Sequence, residues 1–281
     1  DLVLVAGATG GVGQILTAKL LERGYRVRAL TRSLEKASQL LGEKEGLEIG
    51  IADARDPATL SPVTEGISAV AAVTGTTAFP SKRSAEHSYE ERAAHLRRFL
   101  AFYFLAVEGA KWDGNNGPEQ TDYVAMKNLI EATPTSVKRF VLTTSAGVDR
   151  SNQLPFNILN LFGVLKFKKA SEGVLQQSGL PWTILRPGRL TDGPYTSYDL
   201  NTLLQATAGT RQDVQISLQD DQSGETSRIA VAGSGPNLTC QYYLQPHCVS
   251  HASVVPYCNS RNIKAGRIPL AIHACSLMLT L

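Results

Sequence analysis

Near the start of the chain, the run GATGGVG places Gly7, Gly10, Gly11 and Gly13 within a single turn. Glycines in such number suit a backbone that must bend sharply and come close to a ligand. Gly7 can adopt angles that a side chain forbids, Gly10 opens room for close approach, and Gly13 lets a helix sit tightly on the preceding strand. Amides bared at the start of that helix, together with its positive dipole end, favour an anion. A dinucleotide pyrophosphate is the expected guest. The spacing is G-x-x-G-x-x-G rather than G-x-G-x-x-G, and the same glycines also serve a plain tight turn that holds nothing. A charged position further on narrows the choice. About 20 residues beyond the turn, an NAD site presents an acid to the ribose hydroxyls; here Arg32 stands in that place. A guanidinium pairs with a 2′-phosphate through two hydrogen bonds, whereas a carboxylate would repel it. The alternative is a solvated arginine at a strand end. The expected cofactor is NADP(H), with NAD(H) the lesser candidate.

These groups need elements to hold them. Residues 2–6 are wholly apolar, as in a strand buried on both faces of a parallel sheet. Val12, Ile15, Leu16 and Leu20 then recur at helical spacing, and Gly24 closes the helix. YRVRALTRS (25–33) alternates into a second strand, LEKASQLL forms a helix, and LEIGI (47–51) is a third strand. Asp56 caps and Pro57 opens a short helix. SAVAAVTGTT (68–77) is a fourth strand, EQTDYVAMKNLIEATP (119–134) a helix stopped by Pro134, and VKRFVLTTSAGV (137–148) a fifth strand. Residues 156–178 read as one long helix, and PWTILRPGRL (181–190) as a sixth strand and its exit. This alternation predicts an α/β fold, a doubly wound parallel sheet of Rossmann type in a single domain. Ligands of such sheets bind at the carboxyl ends of the strands. Gly7, Arg32, Asp53, Thr74, Ser145 and Pro187 all follow strand ends.

The composition fits. At 43% hydrophobic and 19% charged over 281 residues, the chain has the make-up of a soluble globular protein long enough for one large domain. A net charge of +3 without a basic stripe gives no case for nucleic acid. No apolar run reaches the ~20 residues that a transmembrane helix needs. Cysteine and histidine are placed unevenly: Cys240, Cys248, Cys258, Cys275, His247, His251 and His273 follow residue 232, and His87 and His95 fall within 84–111. His247, Cys248, His251 and Cys258 match no paired zinc-knuckle spacing, so no metal is expected. Nothing points to a secreted disulfide scaffold.

GATGGVG, ALTR, DARD, VKRFVLTTSAGV and GLPWTILRPGRLTDGPYT resemble the atypical short-chain dehydrogenase/reductase group. That group takes in NmrA-like and isoflavone-reductase-like proteins, flavin/biliverdin reductases and plant chloroplast NAD(P)-binding proteins. WDGNNGPEQTDYVAMKNLIEA, NLFGVLKFKK and GRLTDGPYTSYDLNTLL point to the last subgroup. The resemblance covers 1–83 and 112–232 and is silent on substrate. It implies that Gly7, Ala8, Thr9, Gly10, Gly11, Val12 and Gly13 cradle the pyrophosphate, and Arg32 the 2′-phosphate. Asp53 and Ala54 would border the adenine, Thr74, Gly75 and Thr76 line the ribose side, and Ser145 sit beside the nicotinamide. Pro187 and Gly188 would give backbone contacts to the carboxamide. A chloroplast location is implied too, with the cytoplasm as the alternative. The chain opens on Asp1 directly before a strand, so a targeting peptide is expected to be absent from it.

Carbonyl reduction in the wider family rests on Tyr-x-x-x-Lys, the tyrosine acting as acid and the lysine lowering its pKa and holding the ribose. Lys168 matches the lysine, but Val164 stands where the tyrosine would. Tyr123 and Lys127 keep the spacing on the preceding helix and are read as coincidence. Tyr195 and Tyr198, after the sixth strand, either supply a proton or only close the pocket. Lys168 acts as general acid, as in isoflavone-reductase-like members, or only holds the ribose hydroxyls. Ser145 orients a carbonyl or only caps its strand. Two functions follow: an NADPH-dependent reductase of an unknown small molecule, or a non-catalytic NADPH-sensing protein that binds a protein partner.

Two segments break the pattern. By resemblance, FPSKR (79–83) runs directly into the sequence resuming at Trp112, so 84–111 interrupts a loop. Its apolar run FLAFYFLAV (99–107) is too short to span a membrane. After SRIAVA (227–232) the resemblance calls for a helix and a further strand, yet 233–281 shows no usable period. The shared Cys/His content and the lost period suggest translated non-coding sequence, from a retained intron or a faulty gene model. The expected organisation is a Rossmann-type domain over 1–232, interrupted by 84–111. A poorly ordered tail over 233–281 then replaces the C-terminal part of the fold. A third reading follows, a defective variant that keeps only the cofactor site.

Overall fold

β1 (Leu2–Ala6) is buried at every position, because a parallel strand flanked by helices on both faces meets no water. It lies between β2 (Arg26–Thr31) and β4 (Ala69–Ala72); β3 (Leu47–Ile51) lies outside β2. β5 (Arg139–Thr143) and β6 (Trp182–Pro187) continue beyond β4. All six strands are parallel, in the order β3-β2-β1-β4-β5-β6. The order reverses between β1 and β4, which opens the crevice where doubly wound sheets bind ligands. The computed structural model describes residues 1–75, 115–154, 156–160, 162–190, 213–217, 220, 225–237 and 251–257.

Helices cover both faces. α1 (Gly11–Glu22) and α2 (Leu34–Leu41) bury Ile15, Leu16, Leu20, Ala37 and Leu41 against Val3, Val5, Val27 and Ala29. After β3, Asp56 caps a short turn that passes into α3 (Ser61–Thr64), its carboxylate accepting the Ala58 amide. On the same face as α3, α4 (Ala125–Ala132) buries Met126, Leu129 and Ile130 against Leu4, Ala6 and Leu142. The helix expected over 119–134 opens as a wider coil, with Glu119–Val124 π-helical.

The single helix expected over 156–178 is two, α5 (Phe156–Leu159) and α6 (Val164–Gln177). Gly163 sits before α6 at φ 76°, a left-handed angle that breaks helical continuity. Asn160 bridges the gap, taking the Gly163 N–H on its carbonyl and the Lys166 N–H on its side chain. β6 leads into β7 (Arg189–Leu190), which pairs with β9 (Glu225–Thr226). Between them in the chain lies β8 (Asp213–Ser217).

α7 (Arg228–Asn237) runs across the boundary expected at 232 and lays Ala232 in the α1-side core. β10 (His251–Tyr257) pairs parallel with β6, and β8 pairs antiparallel with β10. β10 falls within the stretch 233–281 read as a tail. Backbone ladder bonds to a free strand edge do not require a side-chain period. The rest of 233–281 and the whole of 84–111 lie outside the described residues.

Candidate cofactor site

The glycine turn lies where β1 meets α1. Gly7 has φ 87°, and a Cβ there would stand 3.0 Å from the Thr74 amide nitrogen just beyond β4. A Cβ on Gly13 would stand 2.1 Å from the Gly7 carbonyl oxygen and 2.7 Å from Ala8 Cα, so α1 reaches the turn this closely only without a side chain. The Gly10 amide donates to the Gly7 carbonyl at 2.9 Å and closes the turn. Gln14 braces it from inside, its side-chain amide donating to the Thr9 carbonyl at 3.2 Å. Among the described residues no side chain caps α1, and no acid stands in its first turn. The amides of Gly11, Val12 and Gly13 thus belong to a helix end whose partial positive charge no residue there neutralises.

Arg32 follows β2 with its side chain exposed, and no ion pair engages it among the described residues. Its charge also helps to depress the pKa of Asp53, which follows β3. The larger cause there is Arg55, whose guanidinium forks onto the Asp53 carboxylate at 2.9 and 2.5 Å and holds it below the usual carboxylate range. Arg55 donates as well to the Asn115 carbonyl at 2.7 Å. Asn128 of α4 donates to the carbonyls of Ala54 and Arg55 at 3.1 and 3.2 Å. The loop expected to border the adenine is therefore braced from across the crevice.

Thr74 and Gly75 follow β4, and the Thr74 hydroxyl donates to the Met126 sulfur at 3.4 Å. Among the described residues, a Cβ on Gly75 would meet one group within 4 Å, the Lys168 Nζ at 3.6 Å. Lys168 lies one turn after Val164 on α6, and its ammonium donates to Asp122 Oδ1 at 2.8 Å. The Asp122 side chain is only 1% exposed. Sequence reasoning passed over this acid, although a signal existed: Asp122 shares the i, i+3, i+4, i+7 face of Ala125, Met126 and Leu129. A carboxylate on an apolar stripe demands a partner. Lys127 reaches Glu131 on its own helix at 3.9 Å, in keeping with Tyr123 and Lys127 being a chance spacing.

Ser145 follows β5, its hydroxyl donating to the Ala146 carbonyl at 3.1 Å. The Ala146 amide donates to the Pro187 carbonyl at 2.9 Å, which ties the exits of β5 and β6 together; Pro187 is buried and Gly188 half-buried. Beneath lies a charge cluster with a buried centre, Glu172 and Arg186, that the sequence reading also missed. Arg186 forks onto Glu172 at 3.0 and 2.6 Å and reaches Asp149 at 2.5 Å. Thr144 donates to Glu172 at 2.7 Å, and Lys169 pairs with Asp149. Thr76, Tyr195 and Tyr198 lie outside the described residues.

These contacts form three groups along one edge of the sheet. Gly7 and Thr74 meet at the switch point, beside Gly75 and Lys168. Arg32 and Asp53 lie toward β3, and Ser145 and Pro187 toward β6. An anion-accepting helix end with a free guanidinium to one side and an ammonium to the other fits a phosphorylated dinucleotide.

The sequence pattern of the NAD(P)H-binding family matches residues 7–220, from the glycine turn to Asp220. The chain belongs to this family. It is an NAD(P)H-binding protein of the atypical short-chain dehydrogenase/reductase group, of Rossmann fold. Among relatives, the chloroplastic protein TIC 62 of Oryza sativa subsp. japonica is 33% identical over 214 residues, 74% of this chain and 39% of that one. Sanguinarine reductase of Eschscholzia californica is 36% identical over 198 residues, 67% of this chain and 69% of that one. This NAD(P)H-binding chain spans 39% of the rice protein and 53% of a chloroplastic relative from Arabidopsis thaliana. Among solved structures, the anaerobillin reductase ChuY of Escherichia coli O157:H7 superposes with a TM-score of 0.60 at 21% identity, over 93% of this chain and 100% of that one. A short-chain dehydrogenase/reductase of Veillonella parvula in complex with NADP gives 0.54 at 16% identity, over 91% of this chain and 94% of that one. At such identities these two likenesses bear on the fold alone.

Proposed function

We propose that this chain binds NADP(H) in preference to NAD(H) and serves as an NADPH-dependent reductase of a small molecule. The observation that carries the preference is Arg32: an exposed guanidinium, free of ion pairs among the described residues, at the end of β2 beside the glycine turn. Bound NADPH supplies a hydride. In this reading Gly7, Ala8, Thr9, Gly10, Gly11, Val12 and Gly13 hold the pyrophosphate, Arg32 the 2′-phosphate, and Asp53 and Ala54 the adenine edge. Thr74, Gly75, Thr76 and Lys168 hold the ribose, while Ser145, Pro187 and Gly188 hold the nicotinamide. The chloroplast is the proposed location, on the strength of the chloroplastic relatives.

A second reading has a specific observation in its favour. Val164 occupies the place of the proton-donating tyrosine, and Lys168 is engaged by Asp122. Such a site suits an NADPH-sensing protein that binds a protein partner and turns nothing over. Calorimetric titration with NADPH and NADH on wild type and Arg32→Ala tests the preference. NADPH is expected to bind more tightly, and Arg32→Ala to weaken it about tenfold or more without moving NADH. Equal affinities in the wild type would refute the preference. An acceptor screen with carbonyls, quinones and flavins then separates the readings: NADPH consumption supports the reductase, and tight binding without consumption supports the sensor.

A further inference from the structure

We propose that Asp122 is the positioning residue of this site: its buried carboxylate fixes the Lys168 ammonium over Gly75, where the lysine grips the nicotinamide-side ribose. The proposal rests on the NADP(H) reading above and adds a residue to it. Asp122 belongs to the π-helical turn Glu119–Val124 and Lys168 to α6, so the pair joins elements far apart in the chain. Both side chains are withdrawn from water, 1% exposed for the acid and 12% for the lysine. A buried ion pair is a poor way to stabilise a core, since apolar residues of similar volume often do as well or better. The pair has a clearer use at a site mouth. A lysine stem is rich in rotamers, and a carboxylate partner removes that freedom before a ligand arrives. An ammonium carries three donors. One goes to Asp122 at 2.8 Å, which leaves two for a vicinal diol. Among the described residues, nothing but Nζ lies within 4 Å of a Cβ on Gly75, which leaves that approach open to a ligand.

The test uses the full chain and two probes, NADPH and adenosine 2′,5′-bisphosphate, which keeps the adenine and the 2′-phosphate but lacks the nicotinamide ribose. Asp122→Asn and Lys168→Met are each expected to weaken NADPH about tenfold while leaving the bisphosphate unmoved. The double variant is expected to bind NADPH no more weakly than Lys168→Met, because Asp122 acts through the lysine. Asp122→Glu, which keeps the charge, carries the same test if the asparagine variant does not fold. Lengthening the acid displaces the ammonium and weakens NADPH selectively. Unchanged NADPH affinity in the Asp122 variants overturns the proposal. So do losses that multiply in the double variant, or a parallel loss of both probes. Wild type binding neither probe would instead bring down the cofactor reading itself, whereas wild type binding both with Asp122 variants unmoved removes only the positioning role.

Discussion

Gly10 and Gly13 lie three positions apart in one turn, yet the space around them differs sharply. A methyl on Gly13 would press 2.1 Å from the Gly7 oxygen, against backbone that cannot yield, whereas one on Gly10 meets that oxygen at 3.3 Å. Gly13→Ala is therefore expected to force α1 off the sheet and cost about 3 kcal/mol or more, seen as a clear fall in Tm. Gly10→Ala is expected to keep Tm nearly unchanged while weakening NADPH, since its methyl crowds the turn rather than the core. Thermal melts and NADPH titrations on both variants check the contrast, and equal Tm losses would contradict it. Asp53 gives a pH-dependent expectation. Its carboxyl is held below its ordinary value chiefly by hydrogen bonds from Arg55. A group depressed on folding stabilises above its unfolded pKa and loses that contribution as pH falls through the folded one. The stability gap between wild type and Arg55→Gln should be full near neutral pH and close below about pH 4. Because the pair is partly exposed, the gap should stay below about 1 kcal/mol. Unfolding curves across that range decide it.

At the scale of elements, the strands were legible from their apolar residues, continuous in β1 and β4 and alternating in β2; the bounds read for the third strand, 47–51, match β3 residue for residue. The break in the helix over 156–178 was not, since NLFGVL continues an apolar helical pattern and only the left-handed angle of Gly163 interrupts it. A Cβ on Gly163 would also touch the Phe167 ring at 2.9 Å. Gly163→Ala is expected to lower stability by about 1–3 kcal/mol, measured by denaturant unfolding. The glycine turn and Arg32 could be read as candidates because their residue types and spacing suggest the chemistry locally. Asp122, Glu172 and Arg186 did not, because their pairing arises only when the π-helical turn before α4, α6 and β6 come together. Glu172 and Arg186 are 0% and 1% exposed, so removing the Glu172 carboxylate takes from Arg186 its buried partner and leaves it the exposed Asp149. Glu172→Leu alone is expected to cost about 3–5 kcal/mol, and adding Arg186→Met to recover much of that loss. A double variant less stable than the single would show that the network does more than neutralise itself.

For the whole molecule, the two ends of the cofactor site depend on different stretches of chain. In the proposed site the phosphate end draws on the first 75 residues: the glycine turn, Arg32 and Asp53. The proposed nicotinamide end leans on β6, whose outer edge is paired by β10, with Val254 opposite Pro187 and Ser253 opposite Arg186. Ending the chain after Asn237 removes β10 and leaves the backbone edge of Ile184 and Leu185 without its ladder, a template for association. Such a chain is expected to melt earlier and to self-associate on warming. Its affinity for adenosine 2′,5′-bisphosphate should remain within about twofold of the full chain, because distant sites contribute independently. NADPH should bind more weakly, since the strand that presents Pro187 has lost its outer neighbour. Light scattering with the two titrations checks this. A truncated chain that loses both ligands together would mean that the C-terminal strand supports the entire sheet, so that the glycine turn and Arg32 cannot form a site without it.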